Sequence, residues 1–159
     1  MKNICILLIG IFALAACKKT SSGFNKDLDV FIKYENANGQ NLLDEATPGY
    51  IKPEGLRVFL LKDGQRIEMR HPNLTYPQNF RIIDTSIGKH LQFFFEDYKK
   101  TDKIIMYMQY PDGTEDKFTG QFNVDRYPSI YITKFWVNDV LKWDLPPDRS
   151  SLANAKIIK

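Results

Sequence analysis

Acid clusters, two histidines and a group of flat aromatics are the side chains of this 159-residue chain whose types and spacing bear on chemistry. Carboxylates gather at Glu96-Asp97 and again at Asp112, Glu115 and Asp116. A glycosidase needs two carboxyl groups across a cleft, about 5 to 10 Å apart, one with a raised pKa. Neighbours on a strand point to opposite faces, so adjacent acids do not meet that requirement. Solvation at a loop tip is the better account of these acids, with a weak Ca²⁺ site at Asp112, Glu115 and Asp116 as the alternative, since that ion takes oxygen donors. His71 follows Arg70 beside a turn proline and His90 starts a strand; neither belongs to a spacing such as His-Glu-x-x-His. There is no Gly-x-Ser-x-Gly elbow and no phosphate-cradling glycine loop. The expectation is a non-catalytic protein, without a cofactor and without a dedicated metal centre.

Aromatic residues make up 13% of the chain, and those between residues 129 and 143 bear most on binding. With Asn138-Asp139 as a two-residue turn, Val137 faces Val140, Trp136 faces Leu141, Phe135 faces Lys142 and Lys134 faces Trp143. Ile130, Ile132, Lys134, Trp136, Leu141 and Trp143 then share the more apolar face, expected in the core, with Lys134 over Trp143. Tyr131 and Phe135 share the other face, four residues apart in the chain, as a flat platform on which a sugar ring could stack. Cross-strand packing on a solvent face explains such a pair equally well.

The N-terminus carries a separate signal. Lys2 precedes an apolar run over residues 4–16, broken only by Gly10, which has the length of a signal-peptide core. A transmembrane helix needs roughly 20 apolar residues, whereas this run meets Cys17, Lys18 and Lys19. Leu14-Ala15-Ala16-Cys17 resembles the lipobox of bacterial lipoproteins, whose small residues admit the chain to the lipoprotein signal peptidase and whose Cys thiol takes a diacylglycerol. The resemblance implies cleavage after Ala16 and lipid attachment at Cys17. Two acyl chains, at about 0.8 kcal/mol per buried CH₂, make a stable anchor. Cys5 would leave with the signal, so the folded part has no thiol for a disulfide, a metal or a nucleophile. The formal charge of +3 is well interspersed, with no basic stripe to suggest nucleic acid.

These residues must be positioned by strands. Residues 17–27 read as the lipidated Cys and a flexible polar tether, and residues 28–144 as one domain. Leu28, Val30, Ile32 and Tyr34 alternate with Asp29, Phe31, Lys33 and Glu35, the period of a half-buried strand. Residues 56–62 and 65–70 flank Asp63-Gly64, the most favoured hairpin turn, which sets Leu60 opposite Ile67 and Val58 opposite Met69. Further strands are expected over 79–84, 90–96, 103–110, 117–124, 129–137 and 140–143, with Leu91, Phe93, Phe95, Phe118, Gly120, Phe122 and Val124 inward. Eight or nine strands at this spacing predict a single antiparallel β-sandwich. Residues 145–159 contain Pro146-Pro147 and a polar stretch, and are expected to form a loosely ordered tail.

The run YENANGQNLLDEATP, the hairpin LRVFLLKDGQRIE, the segment HPNLTYPQNFRI and the closing FWVNDVLKWD resemble the small β-sandwich lipoproteins common in Bacteroidota. The resemblance covers most of the folded part. It implies an immunoglobulin-like or similar Greek-key arrangement, and it carries no catalytic residues with it. Surface-exported members of that class resemble one another in an acidic cluster after the Cys, where this chain has Lys18-Lys19-Thr20-Ser21-Ser22. Lys18 is also not the Asp that retains lipoproteins at the inner membrane in some bacteria. Outer-membrane attachment is implied, the periplasmic face favoured over the cell surface.

The leading expectation is thus a lipid-anchored cell-envelope lipoprotein whose β-sandwich module binds or braces a protein or glycan partner. One alternative is glycan capture for a polysaccharide uptake system through Tyr131 and Phe135. Another is a hydrolase with a loop site of unfamiliar form, since fold does not fix function.

Overall fold

A computed structural model describes residues 26–96, 102–123, 129–147 and 151–159. Its strands are β1 (Lys26–Asp27), β2 (Asp29–Glu35), β3 (Arg57–Lys62), β4 (Gln65–Glu68), β5 (Phe80–Thr85), β6 (Gly88–Phe94), β7 (Lys103–Gln109), β8 (Glu115–Asn123), β9 (Ile130–Val137), β10 (Val140–Asp144) and β11 (Asn154–Ile158). Among the described residues a 3₁₀ turn at Pro53–Gly55 is the sole helical element, and no helix is long and apolar enough to cross a membrane.

The strands form two sheets packed face to face, a β-sandwich. One runs β1-β9-β8-β7-β3-β4 with β10 also on β9; the other runs β11-β2-β6-β5. Hairpin partners β3-β4 and β5-β6 sit in different sheets, and the chain returns to lay β6 beside β2 and β7 beside β3. This is a Greek-key order, with β2-β6-β5 in one sheet and β4-β3-β7-β8 in the other.

All nine expected strands are present. Asp63 and Gly64 have φ of 50° and 76°, and Asn138 and Asp139 have 50° and 65°. Both turns thus take the left-handed pair that matches the twist of the strands they join. Leu60 pairs with Ile67, and the Met69 amide donates to the Val58 carbonyl at 2.8 Å. Inward positions meet in a cluster of rings: Phe93 stands edge-on to Phe95 and Phe118, and Phe95 edge-on to Phe122 and Phe135. Gly120 leaves room for them, since a Cβ there would lie 2.8 Å from the Phe122 ring and 3.0 Å from Phe95. Val124 lies outside the described residues.

The sandwich is antiparallel in the main, as expected, with two parallel pairings, β1 with β9 and β11 with β2. Two expectations are corrected. The tail is no loose end: Asn154–Ile158 forms β11, which buries Ala155 and Ile157, with Ala153 buried just before it. Its inward side chains are small or few, yet they alternate with period two and their backbone completes the sheet edge. The second correction is a slip in β9. Gln121 pairs with Lys134 and Phe122 with Ile132, leaving Thr133 as an extra residue. A bulge of this kind flips every later side chain to the opposite face. Unbroken alternation would have buried Lys134; the bulge turns it out to Asp144, at 3.2 Å, and turns Phe135 in. A matching slip at Lys142 brings Trp143 opposite Phe135. Trp143 is buried, while Trp136 lies on the other face under the Lys103 ammonium, 5.3 Å from its ring centroid.

Between β1 and β2 the chain crosses from one sheet to the other at Leu28. Asp27 and Asp29 flank the crossing and share a hydrogen bond, and Gln92 Nε2 donates to Asp29. Partial burial, then the bond to Asp29 and its charge, push the Asp27 carboxyl up to about 6. A folded-state pKa above the unfolded value makes the protonated form the stabilising one. That contribution is complete below about pH 4 and is lost as pH rises through about 6. Asp27→Asn, which mimics the protonated form, is expected to stabilise the protein at pH 7.5 by about 1 kcal/mol after solvent screening. At pH 4 the gain should vanish, which urea titrations at the two pH values will show. Ile157→Ala is expected to cost about 2 to 4 kcal/mol by emptying a buried site; an unchanged urea midpoint would restore the loose tail.

Candidate functional site

The residues singled out for calcium do not come together. Asp112 folds back on its own turn, accepting from the Thr114 amide at 2.9 Å and its hydroxyl at 2.6 Å. Glu115 leaves in another direction, in a two-pronged ion pair with Arg66 at 2.7 Å. Asp116 points into the protein. No group of three or more potential ligands is placed to hold a metal ion among the described residues. The physical reason is the strand period: Glu115 and Asp116 begin β8 and must face opposite ways.

The aromatic platform dissolves as well. Tyr131 and Phe135 fall on opposite faces of β9 because Thr133 is bulged between them. Phe135 is fully buried, and the Tyr131 hydroxyl accepts from Asn123 Nδ2 at 2.7 Å. Cys17 lies outside the described residues. His71 Nε2 stands 3.2 Å from a Glu96 oxygen in an alignment too poor for a hydrogen bond.

Asp116 instead centres a buried polar network. Its Oδ1 accepts from Asn138 Nδ2 at 2.9 Å; its Oδ2 accepts from the Tyr110 hydroxyl at 2.6 Å and from Lys159 Nζ at 2.8 Å. The Tyr110 oxygen also lies 3.0 Å from that of Tyr34, whose hydroxyl faces Met108 Sδ at 3.6 Å. Burial pushes both phenols well above their ordinary range; the Tyr34 and Asp116 oxygens add to it for Tyr110, whereas for Tyr34 the bond to Tyr110 works the other way and the Asp116 charge adds a smaller rise. They remain protonated donors at any physiological pH. A hollow of about 370 Å³ opens beside them, lined by Leu42, Tyr50, Ile51, Pro111 and Lys159. Every polar atom of Asp116 is used, so the network braces one end of the sandwich and offers nothing to a substrate.

A more open arrangement lies on the outer face of the second sheet. There residues of β2, β6 and β11, the β5-β6 turn and Leu152 line a trough of about 560 Å³. Phe31 is among its lining residues, and so are Ile87 and Leu152, 72% and 56% exposed. Lys33 and Lys156 reach the same carboxylate, Glu35, at 2.8 and 2.9 Å. Those two bonds hold the Glu35 carboxyl below its ordinary range.

His90, only 7% exposed, completes the trough. Its Nδ1 lies 2.9 Å from the Gly88 carbonyl oxygen and 3.2 Å from Thr85 Oγ1. A carbonyl only accepts, so Nδ1 holds the proton. Nε2 then has no protein partner among the described residues, and it is not sealed from solvent. Sequence reasoning placed His90 at a strand start and gave it no role; only the return of β11 beside β2 reveals that it lines a concavity.

Searches against models of known families, curated proteins and solved structures give no match to this chain.

Asp116→Ala is expected to lower stability by about 3 kcal/mol, since it strands three donors, and Tyr110→Phe by about 1 to 2 kcal/mol. Both remove the same bond, so the double variant should fall short of the sum by more than about 0.5 kcal/mol in urea unfolding.

Proposed function

We propose that this protein is a lipid-anchored module of the bacterial cell envelope that binds a ligand at the trough on its second sheet and carries out no reaction. The trough carries the binding half of this reading. Its walls are apolar, a few polar groups converge on it, and its volume falls within the range of small-molecule sites, about 300 to 1,000 Å³. The acids and the phenol singled out around β8 are committed to neighbouring side chains, Asp116 to three donors, Glu115 to Arg66 and Tyr110 to Asp116, and none of them lines the trough, where His90 stands without a carboxylate beside it.

The lipobox-like Leu14-Ala15-Ala16-Cys17 supports the anchoring half. Cys17 stands roughly nine residues before β1, a length that keeps the domain within about 30 Å of its lipid. Outer-membrane attachment facing the periplasm follows from Lys18 and Lys19 in place of acidic residues.

Mass spectrometry of the membrane-extracted protein should find residue 17 as an acylated N-terminus, and Cys17→Ser should release the domain from the membrane fraction. An unmodified Cys17 overturns the anchor. Digestion of the domain by protease added to intact cells overturns the periplasmic orientation.

A further inference from the structure

Resting on that reading of the trough as a binding site, we propose that its ligand is an anionic amphiphile, a hydrocarbon chain ending in a carboxylate or similar acidic head. Three independent features of the trough point to this chemistry.

The first is the apolar rim. Ile87 and Leu152 hold large aliphatic side chains in water around the trough, which Phe31 also lines. Stacking a sugar calls for a platform of flat rings, whereas exposed aliphatic side chains beside a single ring suit a hydrocarbon chain, whose burial from water is favourable in proportion to its area.

The second is charge. Lys33 and Lys156 share a single carboxylate, Glu35, so the end of the trough keeps one ammonium charge uncompensated. Lys156 is the more exposed of the two and is free to turn toward a ligand while Lys33 keeps Glu35 satisfied.

The third is His90. A side chain more than nine-tenths buried, with one nitrogen fixed on the Gly88 carbonyl and the other unpartnered on the trough, is a preset polar contact. Nε2 accepts from an acid head when the imidazole is neutral and donates to a carboxylate when it is charged. It serves the head group in either state.

Decanoate, kept below micelle-forming concentrations, is the probe, with decyl maltoside as the neutral partner of equal chain length. Amide and side-chain NMR signals of the purified chain are followed during each titration. Saturable decanoate binding that shifts Phe31, Ile87, His90 and Leu152 is expected, with decyl maltoside at least about tenfold weaker. Ile87→Asp should weaken decanoate about tenfold or more, and Lys156→Gln about three- to tenfold while leaving decyl maltoside unchanged. Both side chains are exposed, so the variants keep the fold, which circular dichroism checks. His90→Gln, which retains a polar atom at the floor, should weaken decanoate less than Ile87→Asp.

Vesicles separate the two sources of such a head. Sedimentation with phosphatidylglycerol vesicles but not phosphatidylcholine ones, lost in Ile87→Asp, assigns the ligand to membrane lipid; decanoate binding without sedimentation assigns it to a free acid. Absence of saturable decanoate binding, equal binding of decyl maltoside, or wild-type affinity in Ile87→Asp each overturns the proposal. Cys17 found acylated alongside any of these results leaves the anchored module standing with a different ligand.

Discussion

Asp116 places a negative charge inside the protein, and one end of the sandwich is arranged to satisfy it. Removing a carboxylate from water costs several kcal/mol unless donors replace the lost solvent. Those donors come from four segments: Tyr110 after β7, Asn138 in the β9-β10 turn, Lys159 after β11, and Tyr34 of β2 through Tyr110. The first two belong with one sheet and the last two with the other. A slip of any segment would strand the charge, so the network fixes relative positions that hydrophobic packing alone leaves soft. The β9-β10 turn is held twice, because Asn138 Oδ1 also accepts from the Lys117 amide at 2.8 Å.

The grip on Lys159 has a consequence on the opposite face. Its amide donates to the Glu35 carbonyl at 2.9 Å while its ammonium lies on Asp116 and over the Tyr110 ring, 4.0 Å from the centroid. Residues 154–158 are thereby drawn into line beside β2. That alignment brings Lys156 to Glu35 and Leu152 to the trough that Ile87 also lines. The trough exists because the end of the chain is pinned; a free tail would leave β2 as a bare edge with Phe31 in water.

Much of this fold was legible in the sequence because it is written in short-range rules. Asp63-Gly64 and Asn138-Asp139 are turns by conformational preference, and the alternation through β2, β7 and β8 gives both strand and face. The β9 bulge escaped because strand patterning has a period of two, and one extra residue, Thr133, inverts it without leaving a Gly or Pro as a mark. Phe135 and Trp136 are both aromatic, so neither phase looks wrong. The tail escaped for a different reason: Ala153 and Ala155 contribute little hydrophobic signal, and the parallel partner that makes them a strand lies more than a hundred residues upstream. The trough depends on that same long-range pairing, so its residues could be seen only as scattered surface positions.

The outward faces of the two sheets differ in a way that bears on which of them meets a ligand. On the first sheet four cations find a carboxylate each: Arg57 with Glu68, Arg66 with Glu115, Lys117 with Asp139 and Lys134 with Asp144. Arg57 and Arg66 also lie over the Phe59 and Tyr107 rings, at 5.0 and 3.9 Å from their centroids. Exposed pairs of this kind add little stability, typically under about 1 kcal/mol each. Their significance is that the middle of this face satisfies itself, with these charges matched and aromatic surface covered by the protein's own side chains, while Ile67, Val140 and Leu141 stay exposed on β4 and β10. The second sheet is matched over one half, where Asp29, Gln92, Arg81 and Tyr76 run in a continuous chain of hydrogen bonds. Its other half has two ammonium groups on one carboxylate, a buried imidazole with a spare nitrogen, and aliphatic side chains standing in water. A surface that satisfies itself gains little from a partner, whereas one left short of an anion and of apolar cover gains from a molecule that supplies both.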